Sequence, residues 1–225
     1  MKIWHVSDTH TFHGLLKVPD GIDMVIHSGD CSNPKDPYKN EQEVRNFITW
    51  FSSLKIKHKI FVAGNHDTSI EKRLITKENF SSCGIHYLEN ESIEIEGIKI
   101  WGSPHTPTFG DWAFMKARDK LSRVWEHVPT DTDIVIVHGP PKGILDLSHN
   151  FNNDIENCGC GALMKRMLKF PPKLCLFGHI HNNKHLINAG TMKLSISHTI
   201  FSNGSVVTDG KFEYGLTSNG NILEL

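Results

Sequence analysis

Five short segments carry most of the residues able to do chemistry: Asp8 and His10 in DTH, Asp30 in GD, Asn65, His66 and Asp67 in GNHD, His138 in HGPP, and His179 and His181 in GHIH. Together they offer carboxylate oxygens, an amide oxygen and imidazole nitrogens, and no thiolate. That donor set suits manganese, iron, zinc or nickel rather than calcium. It is larger than one tetrahedral site requires. Two metal ions ~3.5–4 Å apart need a bridging carboxylate, and an Asp is short and rigid enough to supply it. Two divalent ions bring more positive charge than two Asp and one bridging hydroxide cancel, and neutral Asn and His cancel none. The residual charge would attract a phosphate and stabilise charge developing in an in-line displacement.

Each of these motifs closes a short apolar run. The runs are IWHVSDTH (Ile3–His10), MVIHSGD (Met24–Asp30), IFVAGNHD (Ile60–Asp67), IVIVHGPP (Ile134–Pro141) and LCLFGHIH (Leu174–His181). Their β-branched content and short apolar stretches predict buried strands. Between them, Glu41 to Leu54 places Val44, Phe47, Ile48 and Phe51 on one helical face. Met115 to Trp125 and Ala162 to Leu168 read as helices in the same way. Strands alternating with helices indicate βαβ units. Ser92–Trp101 alternates apolar and polar residues around Glu96-Gly97, a hairpin pattern. HLINA, HTIFSN and NILEL in the last part of the chain read as short strands. The expectation is an α/β fold with two packed sheets and helices on the outer faces. Ligands in such folds gather at the carboxyl ends of the strands, where all five motifs lie.

Composition supports an ordinary globular chain. It has 225 residues, 38% of them hydrophobic and 22% charged, with a formal net charge of -1. That excludes a disordered tail and a strongly basic nucleic-acid binder, and allows one large domain over 1–225. The 15 His are the one abnormal count, and His is the commonest metal ligand. The five Cys are odd in number and form no CxxC pair. No apolar run suits a signal peptide or a membrane span, so free thiols and a cytoplasmic location are expected. Cys31 and the CGC at Cys158–Cys160 are read as structural thiols.

The five motifs, in order, resemble the calcineurin-like metallophosphoesterase superfamily, whose pattern runs D-x-H, G-D, G-N-H-[DE], H and G-H-x-H. The resemblance implies a four-layer αββα sandwich of two mixed β-sheets flanked by helices. It implies that Asp8, His10 and His181 bind one metal, that Asn65, His138 and His179 bind the other, and that Asp30 bridges both. His66 would serve the leaving group, with Asp67 orienting it, and Asn65 and His66 would also touch substrate. WGSPHTPTFGDWAF (Trp101–Phe114), VHGPPKGILD (Val137–Asp146), CGCGALM and FSNGSVV further resemble the branch of class III cyclic-nucleotide phosphodiesterases and metallophosphoesterase-domain proteins. Two positions depart from that branch: His105 stands where it usually has Trp, and Met115 where it usually has Asn.

The expected function is therefore a dinuclear metal-dependent phosphoesterase. Two divalent ions, manganese first, would hold a hydroxide that attacks a phosphodiester in line. The implied substrate is a small phosphoester, with cyclic nucleotides foremost. The alternatives are a phosphomonoesterase or protein phosphatase, a DNA nuclease, and a scaffold without catalysis. No membrane association and no strong nucleic-acid signal are expected, and the chain would be a monomer or homodimer. Among the remaining candidates, His105 could contact substrate or simply pack. His13 could touch phosphate or sit in an exposed loop. His5 and His27 read as core histidines. Trp101, Phe109 and Trp112 could form a base-stacking wall or belong to the core. The Lys165, Arg166, Lys169, Lys173 group reads as a solvated helix face.

Overall fold

The computed structural model describes residues 1–150, 152–208 and 215–225. Two large mixed sheets dominate it. In the five-stranded sheet the spatial order is Asn221–Glu224, Lys2–Val6, Met24–His27, His58–Phe61 and His86–Tyr87. The last four run parallel, and Asn221–Glu224 closes the edge antiparallel to Lys2–Val6. The six-stranded sheet runs Gly190–Lys193, Ile200–Asn203, Leu174–Phe177, Ile134–Val137, Ile98–Ser103 and Glu91–Ile95. Its four central strands are parallel and both edge strands are antiparallel.

Alternation along each strand explains the unbroken apolar runs. Ile3, Met24, Ile26, Ile134, Ile136, Leu174 and Leu176 meet in one cluster between the sheets. Their neighbours point the other way. Trp4, Val6 and Val25 pack under the helix Pro37–Ser53, whose buried face is Val44, Phe47, Ile48 and Phe51. Val135, Val137, Cys175 and Phe177 pack under the helices Arg118–Glu126 and Gly161–Lys169. Each central strand is thus buried on both faces, as parallel strands require. The result is the expected αββα layering.

Boundaries differ from the sequence pattern in physically intelligible ways. The first helix starts one turn early, at Pro37, because Asp36 caps it by accepting from the Tyr38 and Lys39 amides at 3.0 Å each. Met115 and Lys116 lie outside their expected helix. They pair with Thr106–Pro107 as a two-stranded ribbon, and the helix begins at Arg118. HLINA is not a strand. Asn182 and Asn183 side chains accept from backbone amides of residues 185, 186, 188 and 189, so a side-chain-pinned loop runs there. Among the described residues no helix is long and apolar enough to cross a membrane.

Phe47 is fully buried and lies within ring-contact distance of Phe51 and Phe61, at 5.1 and 5.0 Å. Truncation there leaves a cavity that the surrounding rings cannot collapse into. Phe47→Ala is expected to lower unfolding stability by about 3–5 kcal/mol, read from urea denaturation with an unchanged slope. A loss below about 1 kcal/mol would show that this helix is not anchored through that ring.

Candidate metal centre

Parallel register brings the strand ends together. Just beyond them the backbone turns sharply: Asp8, His10, Asp30 and His179 all adopt left-handed φ, at 53, 41, 57 and 71°. Such conformations cost on the order of 1–3 kcal/mol each and persist only where neighbours over-determine them. Here the neighbours are visible. The Asp8 amide donates to Gly29 O at 2.8 Å and the His10 amide to Asp30 O at 3.1 Å. The Asp30 amide donates to the Asp67 carboxylate at 3.0 Å, and the His179 amide donates to Asp8 Oδ2 at 2.9 Å. Gly64 permits a close approach of the loops. A Cβ there would collide with the Asp30 carboxylate and the His138 ring.

The strand ends thereby assemble two trios. Asp8, His10 and His181 form one, Asp30, His138 and His179 the other, and within each the ligating atoms lie within 4.8 Å of one another. Asp30 Oδ2 is 3.2 Å from His138 Nε2 and 4.0 Å from His10 Nε2, so it stands between the trios. Asn65 joins the second trio through Oδ1, 2.9 Å from His138 Nε2. All seven residues expected as ligands therefore meet at one rim.

Hydrogen bonds behind the rings set which nitrogen faces inward. His10 Nδ1 lies 3.1 Å from Ser32 O and His138 Nδ1 lies 2.9 Å from Ser28 O. Both must donate there, which turns Nε2 toward the centre. Burial lowers His10 to about 4 and His179 to about 3, so both rings are neutral with lone pairs available. His10 Nε2 then faces His181 Nε2 at 3.4 Å. His138 Nε2 faces two acceptors, Asp30 Oδ2 and Asn65 Oδ1. Burial opposes its protonation, but the charge and hydrogen bond of Asp30 raise it to about 9. Burial likewise opposes ionised Asp8 and Asp30. The hydrogen bond and charge of His181 hold Asp8 below the usual carboxylate range, and the charge of His138 does the same for Asp30. Inward-facing lone pairs beside buried carboxylates are what a cation site requires, and the oxygen and nitrogen donors fit divalent transition ions.

His66 lies beside the first trio. Its ring meets His10 edge-on at 4.9 Å and lies tilted against Trp112 at 4.2 Å. Its Nδ1 donates to Asn33 O at 3.1 Å, and its amide donates to Asp30 Oδ1 at 2.7 Å. The residue holding the His66 ring is thus Asn33. Asp67 is instead the buried pin of the two adjoining loops. It accepts from the amides of Asp30, Cys31 and Gly64 and from the Ser32 hydroxyl and Cys31 thiol. Burial first, then this carboxylate, raise the Cys31 thiol well above its ordinary value, which leaves it protonated. Asn40, reaching in from the first helix, donates to His66 O at 2.8 Å and accepts from Ser69. Nothing in the local pattern marks Asn33 or Asn40, since their partners lie far along the chain.

The other candidates separate. His105 donates from Nδ1 to Phe114 O at 3.0 Å and lines a cavity with Lys116 and Arg123, apart from both trios. His13 is buried rather than in an exposed loop, tilted against Trp50 at 5.1 Å. His5 and His27 are core histidines bonded to hydroxyls of Ser202, Ser28 and Thr9. Trp101 belongs to the core, whereas Phe109 and Trp112 flank the rim. Cys160 accepts from the Trp125 indole, and Cys158 and Gly159 carbonyls accept from Arg118.

A family model described as calcineurin-like phosphoesterase matches residues 1–183, which include both trios. The chain belongs to this family. It is 30% identical over 227 residues to metallophosphoesterase domain-containing protein 1 of Homo sapiens, covering 90% of this chain and 65% of that protein. It is 35% identical over 193 residues to Probable rhamnogalacturonate lyase C of Emericella nidulans, covering 80% of this chain but only 17% of that protein. The chain thus spans less than two thirds of either relative. The crystal structure of TT1561 of Thermus thermophilus shares the fold, with a TM-score of 0.60 at 16% identity over 90% of this chain and 88% of that one. Metallophosphoesterases typically hold two divalent ions, which accords with two adjoining trios.

Two outcomes are expected. Asp30→Asn removes the carboxylate between the trios and should reduce metal content, by mass spectrometry, from two ions per chain to one or none. Retention of both would contradict the shared role. In the metal-free protein His138 holds a proton below about pH 9, and it must lose that proton to ligate. Metal binding near pH 7 should therefore release about one proton, with affinity rising about tenfold per pH unit until about pH 9. Calorimetry in buffers of different ionisation enthalpy reads this directly, and proton-independent binding would exclude His138 as a ligand.

Proposed function

We propose that the chain hydrolyses phosphodiesters, with Asp8, His10 and His181 holding one divalent ion, Asn65, His138 and His179 a second, and Asp30 shared by both. Manganese is the ion proposed first. Ions so held would neutralise phosphoryl charge and make a bound water acidic enough to act near neutral pH. The observation that carries the reading is His138: its Nδ1 is committed to Ser28 O while its Nε2 faces only acceptors. Once Nε2 gives up its proton, its lone pair points at the same centre as Asp30 and Asn65, which supports a ligand role.

The chain's own residues supply the rest. His66 is half-buried and reaches the rim, and its Nδ1 is committed to Asn33 O. Nε2 is then the one nitrogen able to pass a proton to a departing oxygen, so His66 would act as the imidazolium acid. Trp112 on one face and His10 at its edge restrict the ring. Asp67 is proposed as a positioning residue, acting through the Asp30 and Gly64 amides rather than on the imidazole itself. Two of its hydrogen bonds from backbone amides hold the loop bearing Asp30, and one holds the loop bearing Asn65 and His66.

Purified protein assayed with bis(p-nitrophenyl) phosphate, p-nitrophenyl phosphate and 2′,3′- and 3′,5′-cyclic nucleotides should turn over the diesters when supplied with manganese. Chelator should abolish that turnover. A preference for p-nitrophenyl phosphate would favour the monoesterase reading, and failure on every ester with every divalent ion would favour the scaffold. His66→Ala should cut turnover of an alkyl ester, a poor leaving group, by about 100-fold or more, and should slow a nitrophenyl ester much less. Equal losses on both esters would remove His66 from leaving-group protonation.

A further inference from the structure

A cavity of about 480 Å³ opens on the helix Arg118–Glu126, away from both trios. Lys120, Arg123 and His127 line it from one helical face. Lys116 lines it from the two-stranded ribbon that precedes the helix, and His105 and Asn90 form another part of the wall. Like charges spaced as Lys120 and Arg123 are weaken a helix, so helix formation gives no reason for them.

The acidic groups nearby are engaged elsewhere. No carboxylate of the described residues lines the cavity. Glu126, on the same helix, faces the groove on its other side with Lys165 and Lys169. Glu89 and Glu71 act on His105 from outside the wall, and each has a cation of its own. Glu89 receives both terminal nitrogens of Arg73 at 2.7 Å each, and Glu71 lies 3.7 Å from Lys72. Lys120 lies 3.7 Å from Asp119 in an exposed pair. Among the described residues Lys116 and Arg123 have no carboxylate partner. Lys116 is also half-buried, where an uncompensated ammonium is less well solvated.

The wall adds a fixed neutral donor. His105 Nδ1 donates to Phe114 O at 3.0 Å, so its Nε2 accepts from the Asn90 amide at 3.3 Å. Asn90 Oδ1 accepts from the Ser103 hydroxyl at 2.8 Å, which fixes the amide at both ends and leaves its second N–H for a ligand. We propose that this cavity binds a phosphate dianion, free or as the terminal group of a small phosphomonoester, between Lys116 and Arg123. Two cations balance a dianion, and they exceed what a carboxylate or a diester monoanion needs. Arg123 can present two parallel N–H groups to phosphate oxygens, and Lys116 a point charge. The bound anion would join the ribbon to the helix. Between the ribbon's two strands lie Phe109 and Trp112, against His179 and His66, so the site would brace the loop that carries both rings.

The test is binding of inorganic phosphate to the full chain, followed by calorimetry with manganese and after chelation. Chelation should remove any phosphate held by metal ions and leave one site per chain. Arg123→Gln and Lys116→Gln should each weaken that site about fivefold or more. Lys165→Gln, on the other side of the helix, should leave it unchanged. Hydrogen exchange supplies a second readout. Phosphate should slow exchange at the Thr106 and Thr108 amides, which close the ribbon by donating to Phe114 O and Lys116 O. No site after chelation, or equal weakening by Lys165→Gln, overturns the proposal. Glycerol 3-phosphate separates the two sources: tighter binding than inorganic phosphate assigns the cavity to a phosphomonoester, weaker binding to free phosphate. Single-stranded DNA binding more tightly than either, and losing affinity in Lys165→Gln, would mark a nucleic-acid surface and overturn the small-anion assignment. No turnover enters the test, so its outcome is independent of the phosphodiesterase reading.

Discussion

Two buried, ionised carboxylates surrounded by imidazoles form the constraint on which this structure turns. Asp8 and Asp30 are 0% and 2% exposed, yet both are held ionised. Buried charge of one sign is expensive unless a partner neutralises it. The charge of His181 serves Asp8 and that of His138 serves Asp30, while burial keeps His10 and His179 neutral. The centre thus sets buried carboxylates beside inward lone pairs. Divalent cations held there would neutralise the first, use the second, and supply the positive charge that attracts a phosphate.

The same constraint accounts for the strained turns around the centre. Ligands can converge from two different sheets only if the chain reverses immediately after each strand. Asp8, His10, Asp30 and His179 take the left-handed conformation to do so. The strain is held by hydrogen bonds from neighbouring loops, with Asp67 joining three loop amides to one carboxylate. The two sheets beneath, with side chains buried on both faces, give those loops a rigid base. His66 stands on the same base, between His10 and Trp112, so the proposed leaving-group acid and the two trios share one framework.

Much of this was legible in the sequence, for a physical reason. A strand buried on both faces must be continuously apolar, so five runs ending abruptly in Asp, Asn or His disclosed both the sheets and the rim. The first helix was legible from its apolar face, although Asp36 and Pro37 moved its start. What stayed hidden depends on contacts between distant segments. Asn33 sits in a loop with no pattern of its own, yet it holds the His66 ring. Asp67, beside His66 in the chain, points instead to the loop that bears Asp30. His13 looked like a loop residue because its cover, Trp50, comes from a helix far along the chain. HLINA has strand-like composition, but Asn side chains took its amides before any ladder could.

The most direct measurement is an anomalous difference map from crystals of the protein grown with manganese and recorded at the manganese edge. Two peaks are predicted, one within reach of Asp8, His10 and His181 and one within reach of Asn65, His138 and His179, with Asp30 between them. A single peak, or none at this rim in crystals that hold manganese elsewhere, would contradict the dinuclear account.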